Sequence, residues 1–229
     1  MCGRFTLSTT PTEVADHFGL DQPPELEARF NVAPGQGIAT ISRTAGNRRP
    51  VLSLRRWGLV PSWAKDEKIG NRLINARAET AAEKPSFRSA LRRRRCLVPA
   101  DGFYEWAGTK GSKQPYFIGL EGRALFAFAG LWERWTDPEG ETLESCTLLT
   151  TEATKPLSAL HDRMPVILDP VDYGLWMDPE VNEPDRVSAV IERNLGGALD
   201  FYRISKHVND VRHDDPRCLE AIAGQPGSF

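Results

Sequence analysis

The sequence predicts an α+β fold: a single domain with an antiparallel, barrel-like β-sheet core and a few short helices at its periphery. Three observations carry this expectation. Between residues 96 and 151, short apolar stretches alternate with turn residues at hairpin spacing. The helical signals are brief and bounded by caps, so helices decorate the sheet and do not form the core. A chain of 229 residues with 40% hydrophobic content buries a substantial core without a second domain, and residues 1–229 are read as one unit.

The elements follow in order. Thr10-Pro11-Thr12-Glu13 is a capping box with proline at the first helical position, and Gly19 ends the helix expected over 11–18. Asn31-Val32-Ala33-Pro34-Gly35 is turn chemistry after an extended segment. Residues 52–57 read as a strand that leaves through the loop Gly58-Leu59-Val60-Pro61-Ser62-Trp63. Residues 76–83 have the composition of a short helix ending near Pro85. Strands are expected over 96–99, 103–106, 116–120, 125–131 and 145–151, with turns at Gly108, Gly111, Gly122 and Asp137-Pro138. Asp169-Pro170 caps a helix reaching Trp176. A second helix is expected over 184–195, closed by Gly196-Gly197, and 201–204 returns as a strand. No repeat, low-complexity segment or long linker divides the chain.

Composition excludes several classes. No apolar run approaches bilayer length and residues 1–20 lack signal-peptide organisation, so a soluble, cytoplasmic protein is expected. The four cysteines, Cys2, Cys96, Cys146 and Cys218, are too dispersed for a disulfide framework or a zinc site, and neither metal nor cofactor is expected. Cys96 and Cys146 lie in apolar stretches and read as buried thiols; Cys218 follows a polar loop and could face either way. The net charge of −2 conceals an asymmetry. Residues 1–100 hold 17 Lys and Arg against 9 Asp and Glu, whereas 101–229 hold 12 against 22. One basic face on a mildly acidic body suits a polyanion. The run Arg92-Arg93-Arg94-Arg95 is either part of that face or a solvated turn before the strand at 96.

Chemistry concentrates at the N-terminus. The chain begins Met1-Cys2-Gly3-Arg4-Phe5. Removal of Met1 leaves an α-amine and a thiol on adjacent carbons, which together trap an aldehyde: the amine condenses to a Schiff base and the thiol closes a five-membered thiazolidine. An α-amine near pKa 7.7–8.0 is roughly a third neutral at pH 7.5, a lysine near 10.4 only about 0.1%. Three further residues attract attention. Glu105 lies between Tyr104 and Trp106, where desolvation favours general acid–base work, unless alternation puts it on the wet face of its strand. His161 precedes Asp162-Arg163-Met164-Pro165, a turn leading into the apolar strand 166–168; it is either structural or a proton carrier near neutral pH. Asn75 either caps the helix expected from 76 or belongs to the site.

Six motifs occur in one order: Met-Cys-Gly-Arg-Phe, Arg29-Phe30-Asn31-Val32-Ala33-Pro34, Trp57-Gly58-Leu59-Val60-Pro61-Ser62-Trp63, Asn75-Ala76-Arg77-Ala78-Glu79-Thr80, Asp101-Gly102-Phe103-Tyr104-Glu105-Trp106 and His161-Asp162-Arg163-Met164-Pro165. Across nearly its whole length the chain resembles the SRAP family (SOS response-associated peptidase), whose members crosslink to abasic sites in single-stranded DNA. The resemblance implies that mature Cys2 is the nucleophile, attended by Asn75, Glu105 and His161. It further implies DNA contacts from Arg4, Arg77, Thr150, Arg163 and the loop of Ser205, Val208 and Asn209, with Asn31 and Pro34 close to Cys2. The implied partner is single-stranded abasic DNA, including single-strand/double-strand junctions; a monomer is expected and no membrane partner. Lyase-type crosslinking and cysteine-type autoproteolytic removal of Met1 are the implied activities. One feature departs from the family pattern. Some members carry a second aromatic after the tryptophan matching Trp63, whereas Ala64 stands here, leaving Trp63 to stack on a base alone or to join the core.

Two other readings compete. An N-terminal-nucleophile glutamine amidohydrolase also begins Met-Cys-Gly, but it normally feeds ammonia to a second catalytic domain, for which this chain has no room. A non-covalent reader of modified DNA bases would use the same basic surface without the chemistry of Cys2.

Overall fold

The structure, a computed structural model, describes residues 2–44, 46, 49–109 and 111–222. The first seven strands are β1 (Phe5–Leu7), β2 (Arg29–Val32), β3 (Gly37–Ser42), β4 (Val51–Trp57), β5 (Asn75–Arg77), β6 (Arg95–Ala100) and β7 (Gly102–Ala107). They are followed by β8 (Gln114–Leu120), β9 (Phe126–Thr136), β10 (Thr142–Glu152), β11 (Arg163–Pro165), β12 (Ile167–Leu168) and β13 (Leu199–Arg203). The helices are α1 (Pro11–Phe18), α2 (Ala78–Ala81), α3 (Arg88–Arg93), α4 (Tyr173–Met177) and α5 (Pro184–Glu192).

Strands β10, β4, β3, β6 and β9 pair in that order, and β9 pairs back to β10, closing a five-stranded barrel. A second sheet runs β13-β8-β7-β1-β2. The α+β expectation and its barrel-like core therefore hold. The pairings are antiparallel with one qualification: β10 runs parallel to β4 and to β5. Both sheets feed a common apolar cluster, in which Phe5, Phe103 and Ile118 of the second sheet meet Trp57, Val98, Phe128 and Leu148 of the barrel. Phe5 sits edge-on to Trp57 and to Phe128, with ring centroids 5.3 and 5.8 Å apart, an arrangement that adds aromatic quadrupole attraction to simple burial. Cys2 belongs to this cluster and is fully buried.

Helix α1 has the expected capping box, with Glu13 N donating to the Thr10 hydroxyl and a left-handed Gly19 at its end. Elsewhere the boundaries moved. The helix expected over 76–83 contracts to α2, because residues 75–77 pair with β10 as a strand. The helix expected over 184–195 stops at Glu192, and 195–198 forms a separate 3-10 turn. Strands β1 and β3 and helix α3 have no counterpart in the sequence expectations; β3 is buried at five of its six positions, so it lacks the polar alternation that marks a half-exposed strand. All four cysteines are buried and free, Cys218 included.

The arginine run is neither a simple patch nor a plain turn. It spans the end of α3 and the start of β6, and Arg95 is only 2% exposed. Its guanidinium donates to the carbonyls of Trp176, Leu91, Arg92, Asp178 and Val181, at 2.5–3.0 Å. Burial lowers its pKa to about 10, still charged at neutral pH. Arg95 thus ties α3 and α4 to the barrel. Arg95→Met keeps the aliphatic volume but strands those carbonyls, so it should cost about 3–5 kcal/mol, read as a lower urea midpoint with an unchanged m-value.

Candidate active site

The register of the second sheet brings Glu105 to Cys2. Phe5 lies opposite Phe103, and Tyr104 N donates to Arg4 O at 3.0 Å, so the antiparallel run continues toward Gly3 and Glu105. Period-2 alternation puts Glu105 on the same face as Phe103, toward the cluster that holds Cys2. Its 6% exposure excludes the wet-face alternative. Burial, reinforced by the nearby Glu105 charge, pushes the Cys2 thiol pKa far above the ordinary thiol range. The sulfur is therefore held as a neutral thiol, with a weak contact to Arg4 O at 3.7 Å.

The C-terminal end of β10 assembles the other side. Parallel β5 places Asn75 beside Leu148 and Arg77 beside Thr150, while antiparallel β11 places Arg163 opposite Glu152. Gly58, at φ +131°, fixes this entry: a Cβ there would stand 2.7 Å from Gly70 O, and the adjacent Trp57 indole donates to Ile74 O at 2.9 Å. Asn75 caps no helix. Its Nδ2 donates to Cys2 O at 2.8 Å, and its Oδ1 is buried with no donor.

His161 borders the same space. Its Nδ1 accepts from Arg163 N at 2.9 Å and lies 2.7 Å from the Asp162 carboxylate. Neutral imidazole can take the amide hydrogen, leaving its proton on Nε2, whereas imidazolium can give its Nδ1 proton to Asp162. Either charge state has a partner, which suits a group that gains and loses a proton. Glu105, His161, Gly3, Arg4, Trp106 and Asn209 line a cavity of about 410 Å3, together with Lys113.

The remaining predicted contacts divide by burial. Arg77, Pro34 and Asn209 are exposed; Ser205 is half-buried, and its hydroxyl caps the 206–209 turn. Trp63 is 57% exposed, so it is a surface residue and not a core one. Thr150 is fully buried, with its carbonyl taking a 2.7 Å bond from Arg163. Arg163 is also forked onto Glu79 by two 2.8 Å bonds, and this pairing holds the Glu79 carboxyl below its usual range. Asn31 and Val208 are fully buried. Asn31 Nδ2 lies within 3.2 Å of the carbonyls of Val208, Asp210 and His213, and its Oδ1 accepts from Arg4 at 2.6 Å. Val208 participates through its carbonyl, which accepts from Arg4 at 3.0 Å. In the free protein these two residues hold Arg4 and the 205–213 loop in place.

Two residues of the cavity wall, Trp106 and Lys113, carry no site signal in the sequence. Trp106 N–H donates to Asn209 Oδ1 at 2.8 Å, and Arg4 lies over its ring at 5.7 Å. Lys113 could have been found from hairpin register: Trp106 pairs with Pro115 and Ala107 with Gln114, which puts Lys113 on the Trp106 face.

Comparison with known proteins agrees with the motif pattern. The family model described as SOS response associated peptidase (SRAP) matches residues 1–211. Abasic site processing protein YoqW of Bacillus subtilis is 43% identical over 225 residues, 96% of this chain and 100% of that protein. Abasic site processing protein HMCES of Gallus gallus is 33% identical over 265 residues, covering 97% of this chain and 78% of that protein. Among solved structures, a Bacteroides thetaiotaomicron protein superposes with a TM-score of 0.83 at 25% identity, covering 96% of this chain and all of that one. A Bordetella bronchiseptica protein gives a TM-score of 0.75 at 27% identity, covering 89% and 100%. With a family model spanning most of its length and relatives matched nearly end to end, the chain belongs to the SOS response associated peptidase (SRAP) family.

Proposed function

We propose that the protein senses and shields abasic sites in single-stranded DNA by capturing them as a thiazolidine on mature Cys2. The observation that carries this reading is that Glu105 and His161 line one open cavity together with Gly3, the neighbour of buried Cys2, whose carbonyl Asn75 holds. The names of the relatives YoqW and HMCES point to the same lesion. Met1 lies outside the described residues; its removal is part of the proposal.

The chemistry balances with these groups alone. His161 gives a proton to the sugar ring oxygen and takes up the C1 hydroxyl proton as the hemiacetal opens to its aldehyde. The Cys2 amine adds to the carbonyl carbon, and Glu105 protonates the carbinolamine hydroxyl, which leaves as water. Sulfur then adds to the imine carbon; the C=N π pair returns to nitrogen, which gains the thiol proton by way of Glu105. One aldehyde, one amine and one thiol give one thiazolidine and one water. The raised thiol pKa supports this order, since a protonated sulfur leaves the first attack to the amine. Closing the ring removes the imine that would otherwise drive β-elimination, so the strand is protected and not cut. The same Cys2, Glu105 and His161 serve an autoproteolytic release of Met1.

Arg4, Arg77 and Arg163 hold phosphates in this reading, and Trp63 stacks on a base. Single-strand/double-strand junctions are substrates, and the protein acts as a cytoplasmic, nucleoid-associated monomer; among the described residues, no helix is long and apolar enough to cross a membrane. Three phosphate contacts on a single strand imply a log–log salt slope of about −2, and Arg77→Ala should make it shallower by about 0.7. Fluorescence anisotropy with a Cys2→Ala protein measures this without crosslinking. Single strands should bind more tightly than uninterrupted duplex of equal length; equal binding, or indifference to salt, removes the phosphate assignment.

A further inference from the structure

Arg93 and Arg94 of the arginine run, unused by the Cys2 site, border a second cavity of about 410 Å3. Its walls include Arg43, Arg93, Arg94, Trp132, Glu180 and Asn182. Trp132 pairs with Cys146 in the middle of β10, whereas the Cys2 site gathers from Leu148 to Thr150 toward that strand's C-terminal end. Two to four residues of strand separate the two, about 7 to 14 Å at about 3.4 Å each.

The cavity wall is rich in donors and poor in acceptors. Arg43 Nε, Arg94 Nε and Trp132 Nε1 are all buried without an acceptor. Arg94 gives Nη2 to Glu133 at 2.6 Å and to Ser89, and Arg43 gives Nη1 to Gly174 O at 3.3 Å. Neither Arg43 nor Arg93 has a carboxylate partner among the described residues. Glu180 is the one acid in the wall, and Asn182 already turns its amide N–H to the Glu180 carbonyl. A small oxyanion with several acceptor oxygens complements this arrangement, and guanidinium forks suit phosphate in particular.

We propose that this cavity is a phosphate-binding site, separate from the Cys2 chemistry. The phosphate comes from the backbone of flanking DNA or from a free phosphate compound. Calorimetric titration of the full chain with inorganic phosphate tests it. Saturable one-site binding is expected. Arg93→Gln should weaken it at least tenfold, and Arg43→Gln, which keeps a polar side chain and removes the charge, should weaken it severalfold. Both variants should keep the parent unfolding midpoint and crosslink a short abasic oligonucleotide at the parent rate, so failure here is distinguishable from failure of the abasic-site reading. No saturable phosphate binding by the parent, or parent-like binding by both variants, overturns the proposal. Abasic oligonucleotides of about 5 and about 30 nucleotides separate the sources. A DNA source predicts that Arg93→Gln weakens the longer one alone and makes its salt slope shallower by about 0.7. Loss of phosphate binding with both DNA affinities unchanged assigns the site to a free phosphate compound.

Discussion

Replacing Cys2 with alanine should abolish the denaturation-resistant adduct with abasic single-stranded DNA while leaving weak, salt-sensitive binding. The loss is expected to be total and not graded, because alanine removes the sulfur that closes the ring, and an open imine does not survive denaturation and hydrolysis. Cys2→Ser should give at most a labile Schiff base or oxazolidine, since oxygen closes and holds the ring less well than sulfur. The same experiment separates three classes. A non-covalent reader keeps full binding in the alanine variant, an amidohydrolase shows no adduct even in the parent, and a crosslinker loses only the adduct. Intact mass of the parent should lack Met1 and, after incubation, should rise by the oligonucleotide less one water. A denaturation-resistant adduct retained by Cys2→Ala would move the covalent bond elsewhere, with Lys113 the other primary amine in the cavity wall. Lysine is a poor substitute at neutral pH, where only about 0.1% of an ordinary one is neutral.

Why some of this site is legible in the sequence and some is not follows from the range of the interactions. Cys2, Asn75, Glu105 and His161 each sit in a short polar motif that an apolar core or plain loop does not need, and the structure gathers all four. The helix-cap reading of Asn75 and the wet-face reading of Glu105 are settled only by long-range pairing. Asn75 looks like a helix cap until β5 docks on β10 and its amide reaches Cys2, 73 residues earlier in the chain. Asn31 carries the same limitation: three of the carbonyls around its amide come from residues 208–213, so no local pattern shows that it is buried and engaged. The arginine run illustrates the converse. Four identical side chains in sequence diverge because α3 ends between Arg93 and Arg94 and β6 begins at Arg95, sending the last one into the core. Strand content around β7–β10 was readable because hairpins are local, whereas barrel closure through parallel β4–β10 pairing joins segments nearly ninety residues apart, beyond the reach of periodicity.

Glu105 and His161 should fail in different ways when replaced. If His161 supplies the proton that opens the sugar ring, His161→Ala slows crosslinking mainly where ring opening limits the rate. By microscopic reversibility it also slows release of the adduct. Glu105→Gln keeps the shape of a buried, 6% exposed side chain but cannot exchange a proton, so it impairs carbinolamine dehydration and thiol transfer whatever the form of the aldehyde. General acid–base groups commonly contribute about 10²–10⁴-fold, so each variant should retain measurable activity. The geometry supports this division: Glu105 faces the buried Cys2, where amine and thiol protons move, whereas His161 lies on the outer wall with Asp162 ready to pair with its charged form. Rates measured on an abasic oligonucleotide and on a simple, non-cyclising aldehyde decide the matter. Rescue of His161→Ala but not Glu105→Gln by the open aldehyde supports the assignment. The opposite pattern exchanges the two roles, and equal loss on both substrates ties His161 to the condensation itself through the Cys2 pocket.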